Sequence, residues 1–283
     1  MTIDTDLAVG TSLAGATTTW TWQDVVLYHL GLGAGADPVS PHELAYTYER
    51  DLHVLPTYAV ILATPGVRGI EDVPGLDFDR TQMLHGEQEI EVFEPIPTEG
   101  TVETSARVAA IYDKGKAALV VLEAESRLAD GRPLFVNRYS LFARGAGGFG
   151  GDPGPKERID PPDREPDNVV DVAILPQQAL LYRLSGDLNP LHAEPEFARR
   201  AGFRRPILHG LCSFGIACKA VVDGRLAGDP KRVARFRARF AGVVYPGETL
   251  RVRMWGEAAG IHLEASVPER DAPALASGLL VTR

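Results

Sequence analysis

Residues 185–192, Ser-Gly-Asp-Leu-Asn-Pro-Leu-His, gather a carboxyl, an amide and an imidazole around one glycine and one proline. Asp187 and His192 are the pair able to move protons near neutral pH, because imidazole titrates there and a nearby carboxylate can be tuned toward it. Gly186 and Asn189-Pro190 favour a tight turn, which would make the polar groups converge. Further on, His209-Gly210 stands where an apolar helix should begin. The first N–H groups of a helix lack partners and carry the positive end of its dipole, and glycine there lets an oxygen approach closely. That arrangement suits a developing oxyanion. General acid–base work beside an oxyanion site is the chemistry these residues could do.

Plainer readings of the same residues stay open at this level. Asp187 and Asn189 could close Asx turns while His192 is a satisfied surface group, and Gly210 could be an ordinary turn into a core helix. Asp187, His192 and His209 could in principle ligate a metal, but no recognised ligand spacing supports it, so no metal is expected. Neither Ser185 nor Ser213 sits in a G-x-S-x-G elbow.

The elements that must position these groups repeat. "WTWQDVVLYHLGLGA" has helical spacing and a glycine run that should stop the helix, preceded by a flexible lead-in over residues 1 to about 18. Strand-like segments follow, "QEIEVFEPIP", "GTVETSARVAAIYDKGKAALVVLEAESRL" and "PLFVNRYSLFARG", with Asp113-Lys114-Gly115-Lys116 as a hairpin turn. "GAGGFGGDPGPKERIDPPDREPDN" reads as an interdomain linker; it has no Lys-Ser/Thr to make it a phosphate loop. The second half repeats the order. "LPQQALLYRLSGDLNPLH" answers "TWQDVVLYHLGLGAGADP", "HGLCSFGIACKAVVDGRLAG" is a helix, and "YPGETLRVRM" echoes "IPTEGTVETSARV". In "RFRARF", Arg235, Arg237 and Arg239 alternate with Phe236, Ala238 and Phe240, a strand with one wet charged face. A helix followed by long strands, twice over, gives an α+β class in two domains of one type. The boundaries are 1–150, a linker over 151–168, and 169–283.

Composition narrows the function. A net charge of −9 and a pI near 5.3 argue against nucleic acid. No run approaches a membrane span, the N-terminus does not read as a signal peptide, and Cys212 and Cys218 make neither a disulfide framework nor a four-ligand zinc site. A cytoplasmic protein is the expectation.

The segment "YRLSGDLNPLHAEPEFARRAGFRRPILHGLCSFG" resembles the hydratase-2 motif of MaoC-like (R)-specific enoyl-CoA hydratases. The likeness extends along the chain to the hydratase-2 domain of peroxisomal multifunctional enzyme type 2. It is carried by "LGLGAGADP", "YTYERD", "LPTYAVI", "LHGEQEIEVFEPIP", "YDKG", "SLFARGAGGFGG" and "FAGVVYPGETL". The resemblance implies a double hot-dog, two curved antiparallel sheets each wrapped around a helix. The first copy would be altered to house an acyl chain, its glycine-rich "GLGAGADP" making room, and the second would be catalytic. It implies Asp187 and His192 as the catalytic pair, Asn189 as organiser of their loop, and Gly210 as N–H donor to the thioester oxygen. Glu49 falls on an acidic position associated with activity, although Arg50 stands where the pattern has glycine. His85, Gly86, Lys114 and Phe240, with Leu188, Pro190 and Leu191 of the motif, fall on acyl-CoA-contacting positions. The implied reaction is reversible hydration of trans-2-enoyl-CoA to (3R)-3-hydroxyacyl-CoA, by a hydro-lyase without a separate cofactor, CoA being part of the substrate. A hot-dog acyl-CoA thioesterase and a non-catalytic acyl-CoA-binding partner are the rivals. A homodimer is the assembly to test for.

Overall fold

Period-two patterning turns the long alternating segments of the chain into strands. In the computed structural model, which describes residues 2–78, 82–155 and 159–283, ten of those strands join one antiparallel sheet. The first half runs β1 (Thr2–Ile3), α1 (Thr5–Ala8), β2 (Ala16–Trp20), α2 (Trp22–Gly31), α3 (Pro41–Thr47), α4 (Tyr58–Ala63), β3 (Leu76–Asp77), β4 (Met83–Val92), β5 (Gly100–Asp113), β6 (Ala117–Leu128) and β7 (Pro133–Arg144). The second runs β8 (Asn168–Ala173), α5 (Gln178–Tyr182), α6 (Pro195–Arg200), α7 (Gly210–Arg225), β9 (Val233–Phe240), β10 (Thr249–Glu257), β11 (Gly260–Val267) and β12 (Ala272–Thr282).

The sheet order is palindromic, β2-β5-β6-β7-β4-β9-β12-β11-β10-β8, so each half contributes the same five-strand arrangement. The α+β double hot-dog architecture holds, and the two sheets are continuous across a seam where β4 pairs with β9. Charge sets that seam. Glu87, Glu89 and Glu91 lie opposite Arg239, Arg237 and Arg235 on the outer face, while Ile90 and Phe236 are buried on the inner one. Opposite charges facing across strands stabilise a pair by about 0.2–1 kcal/mol, and a one-residue slip would put every arginine against the core. The arginine face of "RFRARF" is thus a partner for β4 as well as a wet face.

The helices differ between halves. In the second, α7 runs for 16 residues, with Cys212 through Cys218 and Ala220 through Val222 buried, and packs on β8, β9, β10 and β12. Its first-half counterpart α4 has only six residues and gives way to a 3-10 turn, Thr64–Val67. Pro65 explains the stop, because it has no N–H to continue the helical ladder. α2 keeps its length through a capping box in which the Thr21 N–H donates to Asp24 at 2.8 Å.

One expectation is corrected. The N-terminal segment is pinned: Asp4 caps α1, Gly10 and Leu13 donate to Val108 and Ala106, and β2 pairs with β5. The glycine-rich stretch after β7 is likewise tied down, because the Asp113 carboxylate accepts from Gly148 N–H at 2.9 Å and Gly150 N–H at 2.8 Å. Its far end is held by Asp167, whose N–H donates to Met254 and whose carboxylate accepts from Gly256 N–H. Residues 156–158 lie outside the described residues. Among the described residues, no helix is long and apolar enough to cross a membrane.

Candidate active site

The Asp187–His192 segment folds as the sequence suggests. Gly186 takes a φ of +122°, open to glycine alone without strain. The Asp187 carboxylate then accepts from Asn189 N–H at 3.2 Å, and the Asn189 side chain accepts from Leu191 N–H at 3.0 Å, capping a 3-10 turn, Pro190–His192. These are the Asx bonds of the plainer reading, and they make the turn that delivers His192 inward. Asn189 organises the loop, Leu188 is exposed, and His192 is 8% exposed.

The imidazole is fixed by one bond. His192 Nδ1 lies 2.9 Å from the Ile207 carbonyl oxygen, which can only accept, so Nδ1 carries the proton and Nε2 offers a lone pair. Burial lowers the His192 pKa, opposed by the bond to Ile207 and the charge of Asp187. The ring is therefore neutral at pH 7 and ready to accept. His209 stacks on it, with centroids 3.7 Å apart and 27° between planes. Burial first, and then the neighbouring His192, push the His209 pKa down to about 4. Its Nε2–H donates to the Asp187 backbone carbonyl at 3.2 Å, while its Nδ1 is buried with no partner.

Asp187, His192 and His209 offer ligand atoms within 4.8 Å of one another. His192 Nδ1 and His209 Nε2 already face the carbonyl oxygens of Ile207 and Asp187, which leaves one nitrogen on each ring. A carboxylate beside an imidazole with a free lone pair has the chemistry to handle a proton.

His209 is also the residue before α7, whose first turn supplies the N–H groups of Gly210 and Leu211; the intrahelical bonding to His209 starts at Cys212. An added Cβ at Gly210 would lie 3.1 Å from the Phe240 ring. The glycine is needed by that packing as well as by any oxygen approaching the helix end. Phe240 ends β9, and across the seam its ring meets His85 of β4 at 4.8 Å. Gly86 sits at a bulge between His85 and Glu87, where a Cβ would come 2.6 Å from Phe142. Burial takes the His85 pKa down to about 4, and Asp187 lies close enough to oppose that shift. The first half thus contributes directly to the rim of the cluster.

A cavity of about 310 Å³ opens beside Asp187, lined by Tyr182, Ser185, Leu211 and, from the first half, Ile61, Thr64 and Arg68. Thr64 and Pro65, just past the end of α4, help to form this space. The glycine run does not: a Cβ at Gly31 would lie 3.0 Å from the Tyr182 backbone, and one at Gly33 3.0 Å from the Gln178 amide. The run lets α2 press against α5, which corrects the expectation that it makes room. Tyr182, which opens the motif and matches Tyr28 in the repeat but carries no role in the sequence reading, is buried in the cavity wall with a hydroxyl that has no partner.

Two candidate residues stay outside the cluster. Lys114 is at the β5–β6 hairpin tip, its ammonium donating to the Pro153 carbonyl. The tip is at the His85 end of the sheet, three strands and about 14 Å across from β4. Glu49 is exposed just past α3. That helix is held to the other end of α7, where Glu43 pairs with Lys219 and the Tyr46 hydroxyl donates to Asp223. Asp223 is about 20 Å along the helix from Gly210 at 1.5 Å per residue. The structure does not bring Glu49 to Asp187.

Residues 19–145 match the family model described as the MFE-2 hydratase 2 N-terminal domain, and residues 158–270 match that of the MaoC like domain. The chain is 47% identical to enoyl-CoA hydratase ChsH3 of Mycobacterium tuberculosis, covering 99% of this chain and 98% of that protein. It is 40% identical to the peroxisomal enoyl-CoA hydratase 2 of Arabidopsis thaliana, covering 96% and 94%. Among solved structures, a MaoC-like dehydratase from Phytophthora capsici superposes with a TM-score of 0.88 at 33% identity, covering 99% and 98%.

Proposed function

The chain belongs to the enoyl-CoA hydratase 2 family of MaoC-like proteins, and from that premise we infer that it adds water reversibly across trans-2-enoyl-CoA to give (3R)-3-hydroxyacyl-CoA. The observation that carries the residue assignment is the His192 tautomer. With Nδ1–H committed to Ile207, the vacant Nε2 is an acceptor, so at the start of the cycle the imidazole is a base.

Water held between Asp187 and His192 attacks C3 of the enoyl group and gives its proton to this pair. The C2–C3 electron pair shifts to form a C1–C2 double bond, and the carbonyl π pair moves onto the oxygen. There the Gly210 N–H and the positive end of α7 stabilise the enolate in a site shielded from bulk water. The same pair returns the proton to C2, so one hydrogen of the water ends on C2 and the other stays on the new hydroxyl. Asp187 and His192 act on one water as a unit. The acyl chain runs into the cavity beside Asp187, and Lys114 and His85 receive the CoA side. The reaction uses no metal.

The test is turnover of crotonyl-CoA and longer trans-2-enoyl-CoA substrates, followed by loss of the conjugated-thioester absorbance, with chiral analysis of the product. Formation of the (3R) alcohol at a rate unchanged by EDTA is expected. Release of free CoA thiol without a hydroxyacyl product would instead make the protein a thioesterase, and activity lost to EDTA and restored by zinc would overturn the metal-free mechanism.

A further inference from the structure

The palindromic sheet gives the seam two equivalent ends. Its central pair is Glu89 opposite Arg237. Four residues before Glu89 lies His85, and four before Arg237 lies Val233; three after Arg237 lies Phe240, and three after Glu89 lies Val92. Likewise Leu55-Pro56 stands ahead of α4, with Thr57 as the cap between, much as Leu208-His209 stands ahead of α7. The end opposite the catalytic cluster should therefore hold a matching cleft with Val233, Val92 and Pro56 in place of His85, Phe240 and His209. A cavity of about 250 Å³ is found there, lined by those three residues among others.

Its chemistry is that of a holder. Valines, prolines, Leu52 and Ile96 supply apolar walls, and among the described residues no Asp or Glu side chain lines it. Two cations do, Lys231 and Arg283, in a chain whose net charge is −9. The Arg283 guanidinium donates to the carbonyl oxygens of Val92 and Phe93, each at 2.6 Å, and of Lys231 at 3.1 Å, neutral acceptors that leave its charge in place. His53, also in the wall, has a buried Nδ1 with no partner. A buried, unpaired polar atom costs about 1–3 kcal/mol, which a ligand's polar group would offset. The volume is below that of the usual whole-ligand pocket, so it suits a chain with its head at the rim.

We propose that this second cleft binds an acyl chain bearing an anionic head, either a free fatty carboxylate or an acyl-CoA, without turning it over. The ligand class rests on the hydratase reading; the cleft itself does not. Isothermal titration of the full-length protein with decanoyl-CoA, which lacks the C2–C3 double bond and so cannot be hydrated, tests it. Two equivalents per chain are expected for the wild type. One is expected for Lys231→Glu, which reverses the charge of an exposed side chain, and for Val54→Trp, which fills the cavity from a half-buried position. Crotonyl-CoA turnover should be unchanged in both variants. A parallel titration with decanoate distinguishes the sources: one equivalent lost in Lys231→Glu identifies the carboxylate, and binding of decanoyl-CoA alone identifies the thioester. A single equivalent in the wild type, or two retained in Val54→Trp, overturns the proposal while crotonyl-CoA turnover leaves the hydratase reading standing. Absence of turnover would sink that reading instead.

Discussion

Each half places a histidine in the core, and the two are treated differently. His29 is bonded at both ring nitrogens, Nδ1 to the Tyr46 carbonyl and Nε2 from the Leu55 N–H. His192 is bonded at one, Nδ1 to the Ile207 carbonyl. Burial keeps both rings from being protonated, so desolvation alone does not mark a catalytic group. What sets His192 apart is a nitrogen not engaged by its backbone bond, on the ring proposed as the base.

Breaking the second half's pair should have the largest effect. Asp187→Asn and His192→Gln keep shape but remove proton transfer, so each should lower kcat by about 10²–10⁴-fold with the circular dichroism spectrum intact. The double variant should be little worse than the poorer single one, since the groups act as a unit. A folded Asp187→Asn protein retaining most of its activity would make the turn merely structural. Next in size is Gly210→Ala, whose methyl group meets Phe240 at 3.1 Å. Displacing the helix end should cost kcat about 10–100-fold with a smaller change in KM. Phe240→Leu in the same chain should recover part of the loss; no recovery would place the damage elsewhere.

The first half should respond through stability. Gly31→Val drives a side chain into the Tyr182 backbone and should destabilise by about 1–3 kcal/mol, visible as a lower Tm. Short and long enoyl-CoA substrates should then suffer equally; selective loss of the long ones would restore the view that this stretch houses the acyl chain. Between pH 8 and 7 the effect of pH is the smallest. His29, His85 and His209 fall to about 4, against about 6.5 when unfolded. Between those values the unfolded chain binds more protons, so stability present above pH 6.5 is lost as the pH falls toward 4. Tm should be level from pH 8 to 7 and decline below; a Tm rising over that acidic window would contradict the burial of these rings.

Much of this was legible in the sequence because it is local. Gly186 and Asn189-Pro190 specify their own turn, "DKGK" its hairpin, and the apolar run after His209 its helix. What escaped depends on distant partners. The glycines of "GLGAGADP" looked like open space because nothing in the segment reveals that Tyr182 and Gln178 press against it. Glu49 shares a motif with no residue that fixes its distance from Asp187. The glutamates of β4 and arginines of β9 were visible as separate charged faces, and only the fold brings them together. The shortening of α4 could have been read from Pro65, which interrupts the helical pattern.

The continuous seam has a further consequence. Two separate copies meeting edge to edge about a twofold axis would carry every substitution twice, so a change useful at one end would be imposed on the other. They would also come apart on dilution. A single chain escapes both constraints. Its halves can drift independently, one keeping His209 where the other has Pro56, and their pairing does not weaken as the protein becomes scarce, because the tether holds the second half at a high local concentration.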